Sequence, residues 1–189
     1  MPNQLDKLPE INTLRLVLRE IRDYDVQSVY EIYSHPDVIR YWDHPVWTDK
    51  SQAADLIQSA QKGFSEYKYF AWCTTLRDSG NVIGTCSLFD YLQEHRTAEI
   101  GYAFHPDHWG QGYASEIIPE LVAFGFDYLD LNRIHAEADP RNVGSTKALL
   151  RMGFQQEGRL RENWIYPGEK PSDTILLGLL RNEWIPSKT

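Results

Sequence analysis

Glu99-Ile100-Gly101-Tyr102-Ala103-Phe104-His105-Pro106-Asp107-His108-Trp109-Gly110-Gln111-Gly112-Tyr113-Ala114-Ser115 is the stretch on which the fold turns. Its first part completes a strand, Thr97–Phe104, and His105-Pro106-Asp107 stops it. Two glycines then lead into a helix that runs to about Leu129, with Ile117, Leu121, Phe124 and Tyr128 on one face. Pro119 falls in its first turns, where proline is better tolerated than further in. Gly110 and Gly112 lack a Cβ, so the backbone can approach a ligand closely and take positive φ. The first helical amides, near Gly112, Tyr113, Ala114 and Ser115, have no acceptor inside the helix. With the helix dipole they offer a site for a phosphate or pyrophosphate. The same residues also suit a plain strand-to-helix turn, and the segment alone leaves both readings open.

Other phosphate-site patterns fit less well. No Gly-x-x-x-x-Gly-Lys-Ser/Thr string exists, so a P-loop is excluded. Gly110, Gly112 and Ser115 approach the dinucleotide fingerprint Gly-x-Gly-x-x-Gly but lack its third glycine. The strand before them also ends about six residues too early for that motif. Glu137 and Asp139 lie at a tolerable distance for a ribose-binding acid, which keeps an NAD-binding oxidoreductase as a remote alternative.

Outward from this stretch the periodicity gives a mixed order. Leu14–Leu18 alternates apolar and charged residues and predicts a first strand. Asp23 and Asp25 read as cap and first-turn residues of a helix to about Tyr33, ended by His35-Pro36-Asp37. Tyr41-Trp42-Asp43-His44-Pro45-Val46-Trp47 is an aromatic loop, and Thr48-Asp49-Lys50-Ser51 starts a helix to about Lys62. Tyr67–Leu76 and Asn81–Tyr91 predict a hairpin across Arg77-Asp78-Ser79-Gly80. Arg133–Ala138 is a strand. Ser145–Met152 is a short helix closed by Gly153, and Phe154–Ile165 and Thr174–Leu180 are terminal strands. The order β, α, α, β, β, β, α, β, α, β, β is that of a mixed α/β (α+β) domain, not a doubly wound one.

The chain has 189 residues, which fits a single domain over 13–189 with residues 1–12 as a loose N-terminal arm. Lys+Arg 19 against Asp+Glu 27 gives −8, the wrong sign for a nucleic-acid footprint and suited to attracting a cationic substrate. No apolar run is long enough to span a membrane, and the N-terminus lacks the apolar core of a signal peptide. Cys73 and Cys86 sit in strand-like runs and read as reduced core residues of a cytoplasmic protein. Six histidines are present, but His105-Pro106-Asp107-His108 is a proline loop without cysteine or a helical His-x-x-x-His pair, so no metal site is expected. A Gly-x-Ser-x-Gly elbow is absent, which argues against a hydrolase triad.

Trp109-Gly110-Gln111-Gly112-Tyr113-Ala114 resembles the acyl-CoA pyrophosphate loop, Arg/Gln-x-x-Gly-x-Gly/Ala, of the GNAT superfamily of N-acyltransferases. Trp109 stands at the usual Arg/Gln position. That departure is similar to the ribosomal-protein-alanine and spermidine N-acetyltransferase-like branch. The same branch resembles Thr13–Arg19, Glu99-Ile100-Gly101-Tyr102, Asp139–Ser145, Gly153–Gly158 and the terminal Arg161-Glu162, Asp173 and Leu180–Trp184, in this order. The resemblance spans about residues 12–184. It implies a mostly antiparallel central sheet with helices on both faces and a splayed pair of strands, here Thr97–Phe104 and Arg133–Ala138. It also implies acetyl-CoA as cosubstrate and transfer to a primary amine, of a protein or peptide N-terminus or of a small amine such as a polyamine. A homodimer is a family-level expectation, and a non-catalytic acyl-CoA-binding or partner-binding module on the same fold is the alternative.

The resemblance implies roles residue by residue. Backbone groups near Tyr102, Ala103 and Phe104 would pair with the pantetheine arm, and Trp109, Gly110, Gln111, Gly112, Tyr113, Ala114 and Ser115 would cradle the pyrophosphate. Glu99 is the first candidate for the base, Glu137 the second and His135 the third. Alternation puts His135 and Glu137 on one face. Asn142 would bond the pantetheine. Ser145 would either cap the short helix or protonate the leaving thiolate. Lys147 and Arg151 would meet the terminal phosphate or remain solvated. Tyr41, Trp42 and Trp47 would wall the acceptor pocket with Glu137, with Asp43 adding charge and Trp164 and Tyr166 closing the cleft.

Overall fold

The computed structural model describes residues 5–42, 44–166 and 168–185. The leucines of Leu16-Val17-Leu18 are fully buried, which fixes the face of β2 (Leu16–Glu20). A two-residue strand, β1 (Ile11–Asn12), pairs with it. The expectation of a loose arm is corrected for residues 5–12. Leu8 is buried in the main core, and the Trp72 indole donates to the Pro9 carbonyl at 2.9 Å.

Asp23–Asp25 forms a short 3-10 turn rather than the first turn of α1 (Val26–Tyr33). The reason is Asp25, which is buried and accepts both terminal nitrogens of Arg19 at 2.7 Å. His35-Pro36-Asp37 ends α1 but also opens a four-residue helix, α2 (Pro36–Ile39). The His35 side chain caps it and proline sits where its missing N–H costs nothing. Asp49 caps α3 (Lys50–Ser65) by accepting from the Ser51 amide at 2.7 Å.

Then follow β3 (Phe70–Leu76), β4 (Val82–Leu92), β5 (Thr97–Phe104), α4 (Tyr113–Asp127), β6 (Arg133–Ala138), α5 (Val143–Arg151), β7 (Gln155–Ile165) and β8 (Pro171–Leu180). The expected hairpin is β3–β4; Tyr67 lies outside it, in a turn at φ 59°. On α4, Ile117, Leu121 and Phe124 are buried as expected, but Tyr128 is exposed at the helix end, stacked on Phe124.

The strands form one sheet in the order β1-β2-β3-β4-β5-β6-β8-β7. Among the described strands only β5 and β6 pair in parallel. Helices α1–α3 cover one face, with Val29, Ile32 and Ile57 in one cluster with Ala71 and Cys73 of β3, and α4 and α5 cover the other. Each fully buried Leu, Ile or Phe here contributes roughly 1.5–3 kcal/mol of burial free energy. Gly125 lets α4 lie close to β6: a Cβ there would stand 2.8 Å from Ile134 Cδ1. That contact packs the C-terminal turn of α4 against β6.

Candidate active site

β5 and β6 pair at Thr97–Arg133, Ala98–Ile134 and Glu99–His135, and no further. β5 stays bonded to β4 as far as Phe104, and β6 to β8 as far as Ala138. Each follows its own antiparallel neighbour, so the strands splay apart past Glu99. The gap opens into a cleft of about 810 Å³. Its walls include Glu99–Tyr102, Ala136–Asp139, Asn142, Ser145, Tyr41, Trp42, Trp164 and Tyr166. Side-chain alternation puts Glu99, Gly101 and Ala103 on the α1–α3 side of β5, and Ile100, Tyr102 and Phe104 on the α4–α5 side. Main-chain groups of Tyr102 border the gap, whereas those of Ala103, expected to do so too, face β4 opposite Thr85, in step with the His105 amide that donates to the Ile83 carbonyl; this corrects that expectation. The Phe104 carbonyl borders the gap as well, but it already accepts the Trp109 indole at 2.7 Å.

Beyond β5, Pro106–His108 makes a 3-10 turn and Trp109 leads into the glycine loop. Gly110 has φ +73° and Gly112 φ +80°. Both lie in the left-handed region that favours glycine. Gly112 is the N-cap of α4, and no side chain caps it. The donors that α4 leaves at Tyr113, Ala114 and Ser115 therefore lack the usual side-chain acceptor. The side chains point elsewhere: Tyr113 is buried, and Gln111 reaches back to the Asp107 carbonyl at 3.2 Å. What the loop presents is uncharged main chain, a group of dipoles suited to an anion.

Glu99 stands where the strand pairing ends. Its Oε1 accepts the Glu137 amide at 3.3 Å, a β6 N–H beyond the last β5–β6 pair. Burial pushes the Glu99 carboxyl up to about 7; the Glu137 amide opposes this, and the charges of Glu137 and Asp90 add to it. A carboxyl so placed can exchange a proton near neutral pH. His135 Nε2 is 3.8 Å from Glu99 Oε2, too far for a hydrogen bond. Burial, then the Arg133 charge, moves His135 below its ordinary value, which keeps the ring neutral at pH 7. The Glu137 side chain is exposed on the same face of β6 as His135.

Across the gap, α5 begins two residues earlier than expected because Asn142 caps it, accepting the Ser145 amide at 3.2 Å. Capping therefore falls to Asn142 and not to Ser145, which corrects that alternative. The Ser145 hydroxyl is left 2.9 Å from the Tyr102 hydroxyl. Burial raises the Tyr102 phenol to about 12, against the bond from Ser145, so it remains protonated. Lys147 and Arg151 are exposed on α5.

The acceptor-side expectations divide. Tyr41, Trp42, Trp164 and Tyr166 line the cleft. Trp47 does not: it is buried, stacked on Tyr33 with ring centroids 4.7 Å apart, and belongs to the core under α1–α3. Asp43 lies outside the described residues. Asp139 cannot serve a ribose, because its side chain is 0% exposed and fully engaged. It accepts from the Arg141 amide and guanidinium and from Ser172. Burial works against its charge, but these bonds outweigh burial and hold it below the carboxylate range. Arg141 also bonds Glu169 at 3.0 Å and stands over the Tyr41 and Tyr166 rings. One guanidinium thus ties the loop after β6 to the β7–β8 hairpin and the aromatic loop. Of the two acids offered for a ribose, Asp139 is thus unavailable, and the mostly antiparallel sheet is not that of a dinucleotide-binding domain, which tells against the NAD reading.

The ties made by Arg141, the Tyr102 hydroxyl and Arg15 are contacts that spacing did not reveal. They cross the sequence, as in Tyr102 to Ser145 or Arg15 to Gln111, and no local pattern announces them. Among the described residues no helix is long and apolar enough to cross a membrane. Nor does any group of three or more His, Cys, Asp or Glu stand where it could hold a metal ion.

Comparison with known proteins identifies this architecture. Residues 15–155 match the acetyltransferase (GNAT) domain family. The uncharacterized N-acetyltransferase YoaA of Bacillus subtilis is 37% identical over 173 residues, covering 92% of this chain and 97% of that protein. Two solved structures share the fold. One is spermidine N-acetyltransferase from Vibrio cholerae in complex with CoA and spermine, at 21% identity and TM-score 0.80, covering 89% of this chain and 97% of that one. The other is the ribosomal-protein-S5-alanine acetyltransferase from Vibrio fischeri, at 18% and TM-score 0.80, covering 94% and 100%. The splayed parallel pair, the uncapped glycine loop and these matches lead to one conclusion: the chain belongs to the GNAT family of acetyl-CoA-dependent N-acetyltransferases.

Proposed function

We propose that this protein transfers acetyl from acetyl-CoA directly to the primary amine of a polyamine or a peptide N-terminus, with Glu99 as the base. The observation that carries this is the position of Glu99: its carboxyl sits where β5 and β6 part, half-buried and poised near neutrality. The thioester would lie in the gap, with its pyrophosphate on the amides from Gly110 to Ser115. The amine gives its proton to Glu99, directly or through water. Its nitrogen bonds the acetyl carbon, the C–S bond breaks, and the thiolate takes a proton from Ser145 or water. Glu99 and Tyr102 point to opposite faces of β5, and Tyr102 carries Ser145 with it, so base and acid would flank the thioester from two sides.

The acceptor would enter past Tyr41, Trp42, Trp164 and Tyr166. Aromatic walls with carboxylates nearby suit a cation. The neighbouring structure with spermine supports a polyamine, and the one named for ribosomal protein S5 supports a peptide N-terminus. The two unpaired, buried cysteines support a cytoplasmic setting, and the family resemblance supports a homodimer. Thiol release from acetyl-CoA, measured with pooled polyamines and pooled peptides of varied N-terminal residue, tests the proposal. Release that depends on one pool would name the acceptor class. Absence of release, with acetyl-CoA still raising the melting temperature, would favour a binding module.

A further inference from the structure

We infer that Arg15, in the bend just before β2 and far from the glycine loop in sequence, is the cationic anchor of the pyrophosphate cradle. The inference rests on the reading of the Gly110–Ser115 loop as that cradle.

The loop itself needs such an anchor. From Trp109 to Ser115 it carries no positive side chain, in a chain of net charge −8. Main-chain amides alone would face a doubly charged ligand there. Arg15 supplies a guanidinium. Its Nη1 donates to the Gln111 carbonyl at 2.9 Å, and its Cζ lies 4.5 Å from the centroid of the Tyr113 ring. Its Nη2 stands 3.8 Å from the point where a Cβ on Gly112 would be, beside the left-handed N-cap of α4.

The side chain is held in this pose from behind. Glu116, in the first turn of α4, accepts Arg15 Nε and the Arg15 amide, each at 2.7 Å, and the Thr13 hydroxyl at 2.6 Å. Burial disfavours the Glu116 charge, but these bonds hold its carboxyl below the ordinary range. Two hydrogen bonds, from Nε and Nη1, and the Tyr113 ring against its face therefore fix the guanidinium, and Nη2 lies beside Gly112. Pulling the Gln111 carbonyl to Arg15 also keeps that acceptor away from the anion. A planar fork fixed in this way suits a phosphate oxygen.

Titration of CoA, dephospho-CoA and pantetheine into the wild type and into Arg15→Gln tests this. CoA and dephospho-CoA should each bind roughly tenfold more weakly to the variant, the scale of one charge-assisted hydrogen bond. Pantetheine, which lacks the pyrophosphate, should be unaffected. The salt dependence of CoA binding should also flatten. Equal losses for CoA and pantetheine would reduce Arg15 to a structural strut and overturn the inference, as would no loss at all. Loss for CoA alone would move Arg15 to the terminal phosphate and overturn it as well. If wild-type protein binds CoA no better than pantetheine, the cradle reading fails first, and the inference with it. Arg15→Lys covers the case of a misfolded glutamine variant: it keeps the charge, loses the fork, and should show a smaller loss limited to the two pyrophosphate ligands.

Discussion

The loop from Trp109 to Ser115 offers its ligand main chain, whereas the opposite wall offers side chains drawn from four parts of the chain. On the loop, two glycines at positive φ and an uncapped helix end create the surface, and the side chains turn away. On the wall, Tyr41 and Trp42 come from the loop after α2, Glu99 from β5, Glu137 from β6, and Trp164 and Tyr166 from the last hairpin. The difference bears on how each side can change. A main-chain site tolerates many side chains but not a change of backbone geometry. A side-chain site can be retuned one residue at a time, which suits the half that selects an acceptor.

Substitutions on the two sides should therefore fail differently. The largest effect is expected for Glu99→Gln, which should lower turnover by about 10²–10⁴-fold, the usual worth of a general base, while CoA affinity stays as it was. The wild-type rate should also fall on the acid side of about pH 7 as Glu99 takes up its proton. A pH–rate profile that the substitution leaves unchanged would remove Glu99 from the chemistry.

Gly112→Val comes next. A β-branched residue at φ +80° carries strain of about 1–3 kcal/mol, so CoA should bind roughly tenfold or more weakly. Calorimetric titration measures it, and retained affinity would mean that the loop is only a turn. Trp42→Ala should do the reverse: a rise of about three- to tenfold in the acceptor KM, on the scale of a cation–π contact, with CoA binding unchanged. If CoA binding weakened instead, the two sides would not be separable.

The smallest effect concerns stability. Glu99 has a folded value near 7 against an ordinary 4.5, so its favourable contribution is complete below 4.5 and is lost as pH rises through 7. Glu99→Gln should thus melt higher than wild type at pH 8, on the order of 2–4 °C, and the gain should shrink toward pH 5. A gain of equal size at both pH values would sever the link between burial and the raised carboxyl.

Much of this was legible in the residues. The alternation of Thr97–Phe104 and Arg133–Ala138 identified both strands that part. Trp47 shows the limit. In sequence it belongs with Tyr41 and Trp42, yet stacking on Tyr33 takes it into the core while its neighbours border the cleft. Asp139 shows it again: a carboxylate near a glycine loop invites a ligand, but Arg141 and Ser172 had already claimed it. Asn142 took the cap expected of Ser145 for a local reason, since a cap depends on which side chain reaches which amide.

The sequence by itself determined the order of elements, the faces they bury and the place where the backbone must turn left-handed. Those properties depend on residues a few positions apart, through periodicity, capping and the missing Cβ of Gly110 and Gly112. The tertiary structure alone decided that β5 and β6 pair for three residues and then part, that Arg15 meets Gln111, and that Tyr102 meets Ser145. Those contacts join segments far apart in the chain. Sheet order and twist bring them together, and neither is written in any local pattern.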